Sequence, residues 1–464
     1  MTMPEQSDAL IRGAWVLSMG PSGPVRDGAV RIADGNVQAV GPFEDLMART
    51  PDVELFGDGT GIVIPGLING HTHLSEALIA GMGSELTLFE WGQHIVTPVG
   101  MNIDAEMAEE GTVLKAAEML RSGVTYVNDM FVHSNSGSRA SLGVVRGLRR
   151  SGLKGAVSFG AENAIDGVTA MAPMSVSEIM DEQMELAQAA AGVPGVDFRY
   201  GIGTLLGQTD ELLQIGVAAC NDHGWGVHTH LAEVREEVTH ASLRWGERTI
   251  DHADAIGLFD VPLVGGHAIW LTERDIAKLA EHRVAVVHNP VANMILGSGV
   301  CPVQRLRNSG VRVGLGTDGA ASNDSQNMLE AVKAAALLQK VDALDPSVIS
   351  AEDVLTMATI EGARALDIDA RTGSLEVGKD ADVVLLQGTE EIAAIHDPYQ
   401  QVVYCSSPQS VSDVWVAGRR LVADRDVVTV DRERQIARSR ELATQLAHRS
   451  GLCKSGYSSL CVMH

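Results

Sequence analysis

Apolar segments of strand length alternate with helical segments through the middle of the chain. This alternation is typical of parallel β-sheets that are covered by helices. The helical segments include residues 105–120, 176–190, 273–281 and 328–339. The strand candidates are residues 62–69, 125–129, 155–160, 198–204, 226–230, 263–267, 284–288 and 312–317. Eight β/α units in roughly 250 to 300 residues predict an α/β fold with a closed (β/α)8 TIM barrel rather than an open sheet.

The two ends of the chain are rich in short β segments with turn signals between them, such as Asp34-Gly35. Two β regions at opposite ends most simply combine into one small β-sandwich, which brings the ends of the barrel close together. We therefore predict four parts: the first half of the sandwich over 1–60, the barrel over 61–368, the second half of the sandwich over 369–435, and a C-terminal helix with a flexible tail over 436–464.

Charge and composition exclude several classes of partner. A formal net charge of -25 repels nucleic acid and anionic membranes. No stretch reaches the roughly 18 consecutive apolar residues of a membrane helix, and the N-terminus lacks a signal-peptide pattern. The five cysteines are scattered without a CxxC pair, which indicates reduced thiols. We therefore expect a cytoplasmic protein whose partners include neither nucleic acid nor a membrane.

Histidines and carboxylates stand where the predicted strands end, which is where the active site of such a barrel lies. Imidazole and carboxylate ligands together suit Zn²⁺ or Fe²⁺ rather than Ca²⁺ or Mg²⁺. Side chains at positions i and i+2 of a strand point the same way. The residues in question are His71 and His73 after strand one, His230 and Glu233 after strand five, His267 after strand six, and Asp318 after strand eight.

Other residues near the strand ends are predicted to lie behind the ligands or around the pocket. His228 points the same way as His230 but one layer deeper, which favours a position behind the ligands or in the core. His133 and His288 also stand at strand ends and are predicted to line the substrate pocket. Trp91 and Met294 are predicted as pocket walls, because an aromatic and a soft apolar side chain can pack on a flat ring. Ordinary core packing is the alternative for these residues.

Several longer motifs resemble the amidohydrolase superfamily. Within it, the chain is most similar to the branch of the methylthioadenosine/S-adenosylhomocysteine deaminases and the triazine hydrolases. The resemblance covers nearly the whole chain. It rests on PGLINGHTHL at 65–74, FEW at 89–91, HLAE at 230–233, VHNPVANMILGSG at 287–299, GLGTDGAASN at 314–323 and GSLEVGKDAD at 373–382.

The resemblance implies a site with one divalent metal, for which we expect Zn²⁺, with Fe²⁺ as the alternative. Binuclear members carry a modified lysine at the end of strand four, and residues 200–204 contain no lysine. The resemblance also implies that family members form homo-oligomers. The metal ligands it implies are His71, His73, His230 and Asp318, and the catalytic residues it implies are Glu233, His267 and Asp318.

A hydrolytic mechanism follows from these roles. The metal lowers the pKa of a bound water to around 7. Asp318 takes the proton of that water, and His267 orients the hydroxide or the departing group. Glu233 protonates a ring nitrogen while water adds to the adjacent carbon. We therefore predict a deaminase-type hydrolase that displaces an exocyclic amino or related group from an aromatic nitrogen heterocycle.

The chain departs from the nucleoside deaminases of this branch at two positions. Those enzymes place a histidine after strand four and an arginine after strand three. Residues 200–209 contain no histidine, and residues 158–163 contain no arginine. We therefore expect a smaller or more apolar heterocycle, such as a triazine, a pterin or a purine base. The alternatives are a methylthioadenosine/S-adenosylhomocysteine deaminase, a chlorohydrolase of the triazine type, and a catalytically silent scaffold subunit.

Overall fold

The computed structural model of the chain describes residues 3–83, 85–164 and 173–452. The predicted C-terminal tail therefore lies outside the described residues from position 453 onwards. The strands are β1 (Ala9–Leu17), β2 (Pro24–Ala33), β3 (Asn36–Pro42), β4 (Glu54–Phe56), β5 (Ile62–Pro65), β6 (Leu67–Thr72), β7 (Val124–Phe131), β8 (Lys154–Phe159), β9 (Val196–Phe198), β10 (Tyr200–Ile202), β11 (Val227–Leu231), β12 (Leu263–His267), β13 (Ala285–His288), β14 (Val313–Leu315), β15 (Val383–Leu386), β16 (Val411–Val416), β17 (Arg419–Ala423) and β18 (Asp426–Val427).

Helices cover the outside of the sheets and fill the connections between strands. Short 3-10 turns lie at Leu74–Glu76, Leu258–Asp260 and Glu390–Ile392, and π-helical turns at Gly92–Val96 and Gln401–Cys405. The α-helices are α1 (Phe43–Arg49), α2 (Leu88–Trp91), α3 (Thr97–Gly100), α4 (Ala105–Arg121), α5 (Leu142–Ser151), α6 (Val176–Ala191), α7 (Asp210–His223), α8 (Arg235–Trp245), α9 (Thr249–Ala255), α10 (Glu273–Glu281), α11 (Pro290–Ile295), α12 (Val303–Asn308), α13 (Met328–Ala343), α14 (Ala351–Met357), α15 (Ile360–Ala365), α16 (Pro398–Gln400) and α17 (Arg432–Arg449).

The central domain is the predicted (β/α)8 barrel. Its parallel strands pair in the orders β6-β7-β8-β9 and β10-β11-β12-β13-β14. β9 and β10 are two short pieces of the fourth barrel strand, separated by Arg199. The backbone N–H of Asp318, just after β14, donates to the carbonyl of His71 in β6 over 2.9 Å. This bond joins the last strand to the first at the edge where the predicted ligands lie.

The barrel strands are continuous apolar segments in the sequence because both faces of each strand are buried. Every residue of β6, β7 and β12 is buried. Side chains that include Ile68, Tyr126 and Val287 pack together inside the barrel. Their strand neighbours pack outwards against the helices, so the barrel is filled rather than hollow.

The predicted first strand, residues 62–69, crosses from one sheet to another, which corrects the single strand that we predicted. It divides at Gly66: β5 pairs with β1 and β15 in the terminal sheet, whereas β6 pairs with β7 in the barrel. A Cβ at Gly66 would lie 1.9 Å from Thr125 Oγ1, so the chain bends where only glycine fits. The apolar run is continuous in sequence and therefore hides this division.

The two ends of the chain combine as predicted. They form one nine-stranded sheet in the order β18-β17-β16-β15-β5-β1-β2-β3, with β4 paired to β1. Residues from both ends, including Ile11, Val30, Val383 and Trp415, share one apolar core, which makes this unit the β-sandwich. The domain boundaries remain predictions. No helix in the described part of the chain is both long and apolar enough to cross a bilayer.

Candidate metal centre and active site

Four side chains from three strand ends converge at one edge of the barrel. Their nearest nitrogen and oxygen atoms all lie within 4.8 Å of one another. His71 Nε2 is 3.2 Å from Asp318 Oδ1, and His73 Nε2 is at the same distance from that oxygen. His230 Nε2 lies 3.0 Å from His73 Nε2. The structure therefore brings together the four residues that the sequence predicts as metal ligands.

Backbone carbonyls fix the tautomers of two of these histidines. His73 Nδ1 lies 2.8 Å from the carbonyl of Met130, and His230 Nδ1 lies 2.5 Å from the carbonyl of Gly203. A carbonyl oxygen can only accept, so each Nδ1 must carry the hydrogen. In the neutral imidazole each Nε2 then keeps its lone pair and faces the centre of the cluster, as a metal ligand requires.

His228 fixes the third tautomer. His71 Nδ1 lies 2.7 Å from His228 Nε2, and His228 Nδ1 lies 3.2 Å from Ser158 Oγ. The Ser158 hydroxyl donates to the carbonyl of Asp129 over 2.8 Å, so it accepts from His228. Burial, with the neighbouring histidines, lowers the pKa of His228 well below its usual value and keeps this imidazole neutral. His71 Nδ1 therefore donates to His228, which lies behind the ligands as predicted, and His71 Nε2 stays free.

The donor set fits a single zinc ion. His71 Nε2 and Asp318 Oδ1 are buried and make no hydrogen bond to any part of the chain that the structure describes. Buried polar atoms are rarely left without a partner, so a bound metal ion would satisfy these two atoms. Three imidazole nitrogens and one carboxylate oxygen are ligands that zinc commonly takes.

The backbone of Asp318 is held in an unusual conformation. Its φ of 65° lies in the left-handed region, which is costly for a residue other than glycine. Thr72 Oγ1 and Gln326 Nε2 both donate to its carbonyl over 2.8 Å, and Ser322 Oγ donates to its Oδ2 over 3.0 Å. These supporting residues were not predicted from sequence, because their hydrogen bonds join segments that no local pattern relates.

Glu233 and His267 lie beside the cluster, as predicted for catalytic residues. Burial raises the pKa of Glu233 to about 7, so the carboxyl group holds a proton far more readily than an exposed one. His267 Nδ1 is 3.7 Å from Glu233 Oε1, and His267 Nε2 is 3.9 Å from Asp318 Oδ2. Asn293 Oδ1 lies 2.8 Å from His267 Nδ1 and orients the ring. His267 therefore stands between the buried acid and the carboxylate ligand.

One cavity of about 960 Å³, a volume that includes its open mouth, is lined by His73, His230, Glu233, His267 and Asp318. Trp91, predicted as a pocket wall, lies in this lining, and the π-helical turn that follows it also contributes. Most of the wall is apolar, which suits a flat ring. The apolar lining residues are Leu88, Phe89, Trp91, Val96, Val132, Leu206, Val234 and Leu296.

The other three predicted pocket residues lie outside this lining, which corrects those assignments. Met294 is 49 % exposed on α11. His133 is fully buried, and its Nε2 lies 2.7 Å from Glu182 Oε1 of α6, outside the barrel. His288 is fully buried on the face of β13 that it shares with Val286, which packs in the outer core. A strand end shows that a residue is near the site but not which way its side chain points.

Comparison with known proteins identifies the family. The model of the Amidohydrolase family matches residues 62–421, more than three quarters of the chain. The chain belongs to the amidohydrolase family. It is an enzyme, a hydrolase that acts on carbon–nitrogen bonds.

Relatives and solved structures agree with this assignment. A 5-methylthioadenosine/S-adenosylhomocysteine deaminase of Desulforudis audaxviator is 35% identical over 94% of this chain and 98% of its own length. A zinc-bound adenosine deaminase from Xanthomonas campestris has a TM-score of 0.88 at 30% identity, covering 96% and 100% of the two chains. A zinc-bound atrazine chlorohydrolase from Arthrobacter aurescens TC1, with a TM-score of 0.85 at 22% identity and coverage of 94% and 100%, shares the fold.

Proposed function

We propose that this amidohydrolase is a zinc-dependent deaminase, which removes an exocyclic amino group from an aromatic nitrogen heterocycle. One observation carries the proposal. Three histidines whose Nδ1 atoms are already engaged turn their Nε2 atoms towards a carboxylate oxygen, in a cavity that also holds the buried acid Glu233. The names of the deaminase relatives, and the zinc in two of the similar structures, support the same reaction and the same metal.

The residues of the chain supply the proton transfers of such a reaction. Zinc, when bound, acts as a Lewis acid that makes hydroxide available from water near pH 7. Burial acts to raise the pKa of Asp318, but His267, His71 and His73 hold it well below its usual value, so Asp318 is ionised, which is the form that a proton acceptor must have. Glu233, with its raised pKa, can deliver a proton to a ring nitrogen. His267 lies close enough to both to orient the attacking oxygen or the departing amine.

The cavity favours a compact, flat substrate. Thr204 and Leu206 line it in the segment after the fourth strand, where the nucleoside deaminases carry a histidine. Leu206 offers no hydrogen bond there, and the short hydroxyl side chain of Thr204 does not extend as far as an imidazole, which favours a free base, a pterin or an aminotriazine. Methylthioadenosine or S-adenosylhomocysteine is the second candidate, because a relative at 35% identity carries that name.

Two other functions are compatible with the same fold. A chlorohydrolase would need the same metal ligands and acid, and an atrazine chlorohydrolase shares the fold. A silent scaffold subunit would be expected to lack a ligand or the acid, and all of these residues are present. A cytoplasmic location and a homo-oligomeric state remain predictions.

An ammonia-release screen tests the proposed function. Zinc-loaded protein is incubated with aminopurines, aminopterins, aminotriazines, adenosine and methylthioadenosine, and its metal content is measured in parallel. We expect ammonia from a free base, a pterin or a triazine, at about one zinc per chain. Ammonia from methylthioadenosine at a higher kcat/KM would favour the second candidate. Bound zinc with no ammonia from any compound would contradict the proposed deaminase.

A further inference from the structure

The two carboxylate oxygens of Asp318 have different surroundings. Oδ1 lies 3.2 Å from His71 Nε2 and 3.2 Å from His73 Nε2, and it accepts no hydrogen bond from the residues that the structure describes. Oδ2 accepts a hydrogen bond from Ser322 Oγ over 3.0 Å and lies 3.9 Å from His267 Nε2. One oxygen therefore faces the candidate metal ligands, and the other contacts a hydroxyl group beside a proposed catalytic residue.

The loop after β14 holds Ser322 in this place. Ser322 is buried and belongs to the lining of the cavity. The backbone N–H of its neighbour Ala321 donates to Glu76 Oε2 over 2.9 Å. A Cβ at Gly319 would lie 1.8 Å from the same oxygen, so the loop packs closely around the carboxyl group of Glu76. This packing fixes the distance between the Ser322 hydroxyl and Asp318.

The hydroxyl of Ser322 has two acceptors within reach. Besides Asp318 Oδ2 at 3.0 Å, the carbonyl of Gly319 lies 3.3 Å from Ser322 Oγ. A hydroxyl group has one hydrogen, which turns about the C–O bond, and it can also accept. It donates to Oδ2 while Asp318 is ionised. Once Oδ2 has taken up a proton, the hydroxyl can donate to Gly319 instead and accept from Oδ2, so the contact with Asp318 persists in both states.

We propose that Ser322 is a positioning residue that keeps Oδ2 of Asp318 off the metal, so that Asp318 binds through Oδ1 alone and Oδ2 can take the proton of the attacking water. The inference rests on the proposed function, because it concerns the proton acceptor of the same reaction. A carboxylate can bind a metal through one oxygen or through both, and hydrogen bonds from neighbouring residues orient such ligands. A carboxylate with both oxygens on the metal would be a poorer base, because the cation would draw electron density from both.

Removal of the hydroxyl tests this role. Ser322→Ala should keep about one zinc per chain and lose about 10- to 100-fold in kcat, with KM little changed. Ser322→Thr keeps the hydroxyl and should recover most of the rate. Ser325→Ala is the matched control, since Ser325 lies on the same loop but donates to Glu118 Oε1 over 3.2 Å. An unchanged kcat in Ser322→Ala, or an equal loss in Ser325→Ala, would overturn the inference.

Cobalt provides a readout that does not depend on turnover. Co²⁺ is added to the metal-free protein, and its visible absorption is recorded, because the bands of Co²⁺ weaken as the number of its ligands rises. We expect weaker bands in Ser322→Ala, where Oδ2 can join Oδ1 on the metal, and wild-type bands in Ser322→Thr and Ser325→Ala. A wild-type spectrum in Ser322→Ala would overturn the inference even if its activity is lost. If no compound of the screen is deaminated, the proposed function fails, and the spectra alone decide the role of Ser322.

Discussion

His230 and Glu233 lie three residues apart in one short segment, yet their surroundings favour different roles, metal binding for His230 and proton donation for Glu233. The Nδ1 of His230 is engaged by the carbonyl of Gly203, so its Nε2 faces the cluster of candidate metal ligands. Glu233 is buried in a cavity whose described lining contains no lysine or arginine, and burial raises its pKa to about 7. Local contacts thus determine the protonation states that suit His230 to the proposed role of a neutral ligand and Glu233 to that of a proton donor.

Substitution at these two positions should separate metal binding from turnover. Glu233→Gln should keep about one zinc per chain, because Glu233 is not among the four converging ligands, and should lose about 100-fold or more in kcat. His230→Ala should lose the zinc itself. Metal analysis beside steady-state kinetics makes the comparison. Loss of zinc in Glu233→Gln, or retained turnover, would refute the assigned roles.

The raised pKa of Glu233 also predicts a pH dependence. The acid can donate only while protonated, and its ordinary pKa of 4.5 would leave it ionised at neutral pH. With a pKa of about 7, the protonated form persists to neutral pH and is lost as the pH rises further. The kcat/KM profile should therefore fall on the alkaline side of about pH 7. A profile that is flat or rising between pH 7 and 9 would show that proton donation by Glu233 does not limit the reaction.

At the scale of secondary structure, the turn between β11 and α8 holds the acid in place. Glu237, in the first turn of α8, accepts from the backbone N–H of Ala232 over 2.9 Å and from that of Glu233 over 2.8 Å. Ala232 has a φ of 46°, a left-handed conformation that needs such support. One carboxylate thus joins the start of the helix to the backbone of Glu233, the proposed acid.

Removing this carboxylate should misplace the acid without emptying the metal site. We expect Glu237→Ala to lower kcat by about 100-fold, since small displacements of catalytic groups are costly, while KM and zinc content change little. Glu237→Gln keeps an accepting oxygen and should recover part of the activity. Glu236→Ala, at the exposed neighbouring position, serves as the control. A loss expressed in KM or in zinc content would contradict this positioning role.

The convergence of the candidate ligands could be predicted from sequence because strand geometry places them at one edge, whereas their role as ligands is implied only by the family resemblance. The period of two residues along a strand places His71 and His73 together, and parallel strands bring their ends to one edge. What could not be predicted depends on contacts distant in sequence. The chain bends at Gly66 because Thr125 leaves no room there for a Cβ atom. The carbonyl of Asp318 is held by hydrogen bonds from Thr72 and Gln326.

At the scale of the whole molecule, the barrel closes at the candidate metal centre. The bond between β14 and β6 runs from the N–H of Asp318 to the carbonyl of His71, and both residues also face the cluster. Asn69 reinforces the same seam: it donates to Thr317 Oγ1 over 2.7 Å and accepts from the Thr317 N–H over 3.0 Å. Binding one ion here should therefore stabilise the closed barrel as well as enable the reaction.

A zinc titration tests the central claim most directly. Zinc is added in steps to metal-free protein, and the rate of ammonia release from the best substrate of the screen is measured at each step. A single centre formed by His71, His73, His230 and Asp318 predicts a rate that rises in proportion to zinc and levels off at one equivalent per chain. A rate that levels off only at two equivalents, or that does not depend on zinc, would contradict the mononuclear zinc centre.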